Sequence, residues 1–173
     1  ETTDTLSPLE LHATQTVSFQ ANKSEVILQD MQYVAQTLAA GIQDITTALV
    51  EEVKLSDVLR MILETMLRAM DFQRIIFCLR DSKTDSLIGR FGLGKDVAGT
   101  VKAFCVPLKT AQPDLFVAVC LKGADAMISD ATEVHIATRL PDWYRASINA
   151  PTFLLLPVNI KGKGTSAIVA LSS

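Results

Sequence analysis

Ile27, Met31, Val34, Leu38, Ile42, Ile45 and Leu49 recur at three- and four-residue steps, and this periodicity constrains the fold more than any other feature of the sequence. Residues so spaced fall on one stripe of an α-helix, because about 3.6 residues complete a turn. Asn22 followed by Glu25 has the spacing of a capping box, in which each side chain satisfies a free backbone N–H. A helix is therefore expected over 22–52. The preceding residues, 1–21, are rich in Thr, Ser and Gln with few large apolar side chains and read as a loose lead-in. Ile27, Leu38 and Leu49 are eleven residues apart, as are Met31 and Ile42, and Val34 and Ile45. An eleven-residue repeat holds a seam nearly straight or slightly right-handed. That suits a parallel pair of helices from two copies of the chain; alternatively, the stripe packs on the chain's own sheet.

Downstream the pattern shortens. Ser56, with Asp57 behind it, reads as the N-cap of a second helix, since a hydroxyl accepts from a free first-turn N–H and a negative charge suits the helix dipole. Val58, Leu59, Ile62, Leu63, Met66, Leu67 and Met70 form its apolar face. Residues 74–80 are an apolar run bounded by charges, expected as a central strand, and a polar turn over 81–85 with a strand over 86–91 completes a hairpin. A third strand, over 103–108, contains Pro107, which lacks an N–H and so belongs at a sheet edge or strand end. A helix over 114–121 stopped by Gly123, a brief strand over 126–129 and a helix over 134–140 follow. The last expected hairpin is the clearest, with strands over 153–160 and 166–171 around a Gly-rich turn at 161–164. Nothing repeats strand–helix–strand units, so the expected class is α+β and not a doubly wound dinucleotide fold.

With 173 residues and 49% hydrophobic content the chain can bury one substantial core. Its formal net charge of −3 leaves no basic excess to neutralise phosphates, so neither nucleic acid nor a membrane surface is an expected partner. No apolar stretch approaches the roughly 20 residues that span a bilayer, and no secretory pattern opens the chain, which is read as cytoplasmic. Cys78, Cys105 and Cys120 are odd in number, lack C-x-x-C spacing and sit in apolar runs, the pattern of buried reduced thiols. Gly89, Gly92 and Gly94 miss the spacing of a dinucleotide fingerprint, and neither a P-loop nor a Gly-x-Ser-x-Gly elbow occurs. His135 has no second His, Cys pair or carboxylate at ligand spacing. No catalytic residue, cofactor or metal is expected.

Four segments, Leu55-Ser56-Asp57-Val58-Leu59, Ile75-Ile76-Phe77-Cys78-Leu79, Phe104-Cys105-Val106-Pro107-Leu108 and Phe153-Leu154-Leu155-Leu156-Pro157-Val158, together resemble the GAF family over residues 53–173. Leu140-Pro141-Asp142-Trp143-Tyr144-Arg145, followed by Asn149-Ala150-Pro151, is similar to the GAF modules that follow HDOD domains in bacterial signalling proteins. The resemblance implies a six-stranded, mainly antiparallel sheet with flanking helices, used for small-molecule sensing and dimerisation within a larger protein. It also implies a helix after the last strand, which is missing before Ser173. The Asn-Lys-Phe-Asp-Glu signature of cyclic-nucleotide binding and the Pro-x-Ser-Asp-Ile-Pro stretch of bilin binding do not occur, so both ligands are disfavoured. Free methionine sulfoxide reductases share the fold and cluster cysteines in loops, whereas the three here fall in expected strands and a helix.

Asp130, at the end of the brief strand, and His135, Arg139, Trp143 and Tyr144 beyond it are expected to line one wall of a small-molecule pocket whose floor is the sheet. Alternatively, they are polar residues of a surface helix over a packed aromatic. Cys105 joins the candidates as a redox thiol or attachment point, although its neighbours Phe104 and Val106 read as core. The expected function is a non-catalytic regulatory domain that binds an unidentified small molecule, or dimerises, or both. The alternatives are a purely structural homodimerisation module joined through the Ile27 to Leu49 stripe, and a small enzyme of the sulfoxide-reductase kind.

Overall fold

The computed structural model describes residues 8–50, 54–160 and 164–172. Helix α1 (Pro8–Val50) starts well before the Asn22 to Glu25 spacing, so residues 8–21 are helical and not a loose lead-in. Pro8 opens the helix because a first-turn N–H has no intrahelical acceptor, and losing it costs nothing there. Residues 1–7, the rest of the expected lead-in, and 51–53 lie outside the described residues. Helix α2 (Leu55–Ala69) begins two residues earlier than Ser56 as N-cap would have set it: Lys54 is the N-cap without a side-chain bond, and its carbonyl accepts from the N–H of Asp57 at 2.8 Å.

Six strands form one antiparallel sheet in the order β3-β2-β1-β6-β5-β4. The expected hairpins are β1 (Arg74–Asp81) with β2 (Ser86–Gly94), and β5 (Phe153–Ile160) with β6 (Gly164–Leu171). They join where β1 pairs β6, Arg74 opposite Leu171 and Ile76 opposite Val169. The turn between β5 and β6, 161–163, lies outside the described residues. The short strands β3 (Cys105–Pro107) and β4 (Ala126–Ile128) close the two edges, and Pro107 sits on an edge as its missing N–H requires. The expected third strand is shorter than 103–108 because helix α3 (Val97–Ala103) runs into it. Gly89 and Gly92 on β2 explain how that helix sits so low: an added Cβ would meet the Val101 carbonyl oxygen at 2.4 Å and Val97 Cγ2 at 2.6 Å. Those glycines seat a helix.

Helix α4 (Leu115–Lys122) is bounded as its sequence predicts, with Asp114 accepting from the Val117 N–H at 2.9 Å and Gly123 left-handed at φ 63°. The expected helix over 134–140 is instead a single turn, α5 (Val134–Ala137), followed after Pro141 by α6 (Asp142–Ser147), which the periodicity does not reveal. Each face of the sheet carries its own core. Ile76, Cys78, Phe153, Leu155 and Val169 point toward α3 to α6, while Ile75, Leu154, Ile168 and Ala170 point toward α2 with Leu63 and Phe72. Strand alternation alone divides them.

Helix α1 lies on α2. Gly41 is buried at the crossing, where an added Cβ would stand 2.2 Å from Thr65 Cγ2. Val34, Leu38 and Ile45 are half-buried and Ala48 is buried, whereas Ile27, Met31, Ile42 and Leu49 stay exposed. The sequence stripe is thus wider than the seam α2 covers. Gly41→Ala should destabilise the protein by up to about 2 kcal/mol, since overpacking costs about 1–3 and the gain in helix propensity returns about 1. Chemical denaturation would check this, and a net gain in stability would show that the two helices do not approach so closely.

Candidate functional site

The space between the sheet and its roof of short helices is filled by rings. Phe116 on α4 stacks on Phe153 of β5 with centroids 5.4 Å apart, and Phe104 meets Phe116 edge-on at 5.6 Å. Trp143 and Tyr144 of α6 close the group, at 5.2 Å from Phe104 and 5.3 Å from Phe153. Such offset and edge-to-face pairs add about 0.5–1.5 kcal/mol each beyond the area they bury. Among the described residues, Phe153 of the sheet packs directly against Phe116 and Tyr144 of this roof.

An opening lies at the rim of this layer. A cleft of about 450 Å³ is lined by Ala131, Thr132, Ala137, Leu140, Tyr144, Arg145, Asn149, Ala150 and Pro151. Its walls are the β4–α5 connection, the α5–α6 turn and the α6–β5 connection. Tyr144 organises it. The ring is buried and its hydroxyl donates to the Ala150 carbonyl at 3.0 Å, which holds the loop after α6 against the helix. Burial pushes the phenol well above its ordinary value, against smaller opposing effects of Arg74 and the Ala150 bond. Asn149 occupies the left-handed region at φ 45°, a conformation that Asn tolerates better than most residues, and its N–H donates to the Tyr144 carbonyl at 2.8 Å. The Ala131 N–H donates to the Pro151 carbonyl at 2.7 Å and ties the opposite wall. Arg145 at the rim pairs with Asp142.

A neighbouring groove of about 190 Å³ is lined by Met127, Ile128, Ser129, Asp130, Glu133, His135 and Ile136. Asp130 accepts from the Thr132 hydroxyl at 2.6 Å and the Thr132 N–H at 2.8 Å, which hold its carboxyl below the usual range. His135 Nδ1 lies 3.3 Å from a Glu133 carboxylate oxygen, both exposed. Asp130 and His135 therefore share one groove, and Tyr144 belongs to the cleft beside it. Arg139 is exposed and lines neither; its backbone carbonyl accepts from the Leu115 N–H at 2.9 Å. Trp143 is half-buried in the aromatic layer.

Cys105 departs from expectation. It is exposed, because alternation along β3 turns Val106 inward and Cys105 out, so it is not core filling. Cys78 and Cys120 are buried as expected. Burial raises both thiols, Cys120 to about 11 with Asp114 contributing, and Cys78 further with Cys120 nearby, so both stay protonated near neutral pH. Sequence reasoning did not find Thr132, Arg145, Asn149 or Ala150 as lining residues. Asn149-Ala150-Pro151 carried the one usable signal, a turn that places Asn before a rigid Pro. Among the described residues, no three His, Cys, Asp or Glu side chains cluster to hold a metal ion, and no helix is long and apolar enough to cross a membrane.

The antiparallel order, the two hairpins joined through β1 and β6, and helices on both faces define the GAF fold, which this chain has. Solved structures of that fold are similar throughout: the GAF domain of a phosphoenolpyruvate-protein phosphotransferase from Coxiella burnetii is 13% identical with a TM-score of 0.60, covering 82% of this chain and 78% of that one. The corresponding domain from Acinetobacter is 19% identical with a TM-score of 0.58, covering 80% and 76%. A free methionine-R-sulfoxide reductase from Neisseria meningitidis is 14% identical with a TM-score of 0.54, covering 83% and 72%. No protein-family model and no curated protein matches the sequence.

Tyr144→Phe should cost about 1–3 kcal/mol near neutral pH by leaving the buried Ala150 carbonyl without its donor. Because the folded phenol titrates above the unfolded one, the wild type should lose stability as pH rises past about 10, and the variant should lose it with a slope shallower by one proton. Urea denaturation at a series of pH values would show both, and equal slopes would contradict the placement of the hydroxyl.

Proposed function

We propose that this chain is a non-catalytic regulatory module of a larger cytoplasmic signalling protein, which senses a small molecule at the cleft beside Tyr144 and reports its state through α1. The observation that carries this reading is the pairing of a GAF fold with a long helix that touches the rest of the chain through α2 while leaving apolar residues exposed. A helix so attached shifts with the layer beneath it. Ligand binding changes the balance between two positions only if it favours one of them. The similar GAF domains belong to signalling and regulatory proteins, including a sensor histidine kinase from Bacillus halodurans, which supports the class. An HDOD-type parent is carried by the 140–151 segment alone.

The cleft is mainly apolar with Thr132, Asn149 and Arg145 as polar groups, which suits a small organic ligand bearing one polar or anionic end. A second reading, structural dimerisation through the residues Ile27 to Leu49, is favoured by the exposure of Ile27, Met31, Ile42 and Leu49. The sulfoxide-reductase reading gains nothing from the thiols, two of which are buried and protonated while the third stands outside on an edge strand.

A thermal-shift screen over nucleotides, amino acids and keto acids tests the sensing reading. A ligand present at 100 times its Kd should add about 2.7 kcal/mol, a rise of roughly 5–10 °C. Ala137→Trp, which fills the cleft, should abolish the rise. Silence across the screen, or a shift that survives Ala137→Trp, would remove the cleft from the reading.

A further inference from the structure

The cleft beside Tyr144 has a charge pattern that narrows what it can hold. Arg145 is the charged side chain of its lining; among the described residues no carboxylate, lysine or histidine lines it. Asp142 takes one guanidinium nitrogen, Nη2, and no other described acceptor meets Nε or Nη1, so the rest of the planar fork is open to a ligand. A carboxylate fits such a fork, because its two oxygens match two parallel N–H donors. The pair with Asp142 is a weak competitor: the Asp142 side chain is 95% exposed and that of Arg145 50%, and ion pairs so placed contribute little.

The remaining polar atoms set which way such a molecule lies. The Thr132 hydroxyl donates to Asp130, the Tyr144 hydroxyl to the Ala150 carbonyl and the Asn149 N–H to the Tyr144 carbonyl, so these donors are already occupied. The side-chain amide of Asn149 is exposed, lines the cleft and is bonded to no described residue. The wall at Thr132 is backed by the Asp130 carboxylate, which its two bonds from Thr132 keep ionised. An anionic end is repelled there and drawn to Arg145 and Asn149. Ala137, Leu140, Ala150 and the buried Tyr144 ring form the apolar part, where a second charge on the ligand would find no partner. Desolvating an unpaired charge is costly. Nucleotides and dicarboxylates are therefore disfavoured by their additional negative charge, and amino acids by their ammonium group.

We infer that the cleft takes a small apolar monocarboxylate, its carboxylate on Arg145 and Asn149 and its hydrocarbon end between Ala137, Leu140 and Tyr144. The inference rests on the sensing reading above and names the chemical class of its ligand. A volume of about 450 Å³ lies toward the lower end for ligand pockets, which suits a short branched acid such as isocaproate. Asp142 then competes with the ligand for the guanidinium. Isothermal titration of the full chain with a matched series tests this. Isocaproate should bind at least about tenfold more tightly than isocaproamide, which lacks the charge, leucine, which adds an ammonium group, or glutarate, which adds a second carboxylate. Arg145→Gln should weaken isocaproate at least about tenfold and Arg145→Lys less, since an ammonium keeps the charge without the fork. Asp142→Asn should not weaken it and should tighten it by up to about fivefold. Far-UV circular dichroism of these variants should match the wild type, because both side chains are exposed.

No binding of isocaproate, equal binding of leucine or glutarate, or an affinity indifferent to Arg145→Gln would overturn the inference. So would weaker binding in Asp142→Asn, or isocaproate binding that Ala137→Trp leaves intact. A nucleotide or amino acid whose thermal shift is lost in Ala137→Trp would reject the monocarboxylate and leave sensing at the cleft standing; silence of every compound would reject both.

Discussion

The pairing of β1 with β6 brings together segments from near opposite ends of the folded region, Arg74 opposite Leu171 and Cys78 opposite Ala167. Closing so long a loop has a large entropic cost, and the contact persists because both of its faces are buried: Ile75, Ile76, Cys78, Val169, Ala170 and Leu171 are all completely covered. Arg74 reinforces the join at its end, donating to the Thr100 hydroxyl at 3.2 Å and the Ser172 carbonyl at 3.3 Å. Helix α3, the sheet centre and the exit from β6 are thereby held by one guanidinium. Everything that forms the cleft is attached to β4, β5 or α4, which take their positions from this central pair.

Seven ring contacts knit Phe104, Phe116, Trp143, Tyr144 and Phe153 into one layer over the sheet, and the cleft at its rim is bounded by the loops that Tyr144 and Asn149 hold.

Helix α1 stands outside both cores. Its closest approach depends on Gly41, a residue with no side chain, and its covered residues from Val34 to Ala48 belong to neither of the sheet's cores.

Much of the architecture was legible in the residues. Both long hairpins, the edge position of Pro107 and the limits of α4 at Asp114 and Gly123 follow from local chemistry: alternation, a missing N–H, a carboxylate cap and a left-handed glycine. So does the apolar character of α1. What local chemistry does not contain is which partner each apolar face meets. The exposure of Cys105 beside buried neighbours, the division of the α1 stripe and the emergence of α6 all depend on contacts between distant segments. The cleft is more local, lined by residues between Ala131 and Pro151 that are held together by the Tyr144 hydroxyl on Ala150 and the Ala131 N–H on Pro151. Periodicity determines which side of an element is apolar, and only the closed sheet, by filling some spaces and leaving others open, decides which of those sides remains available for binding.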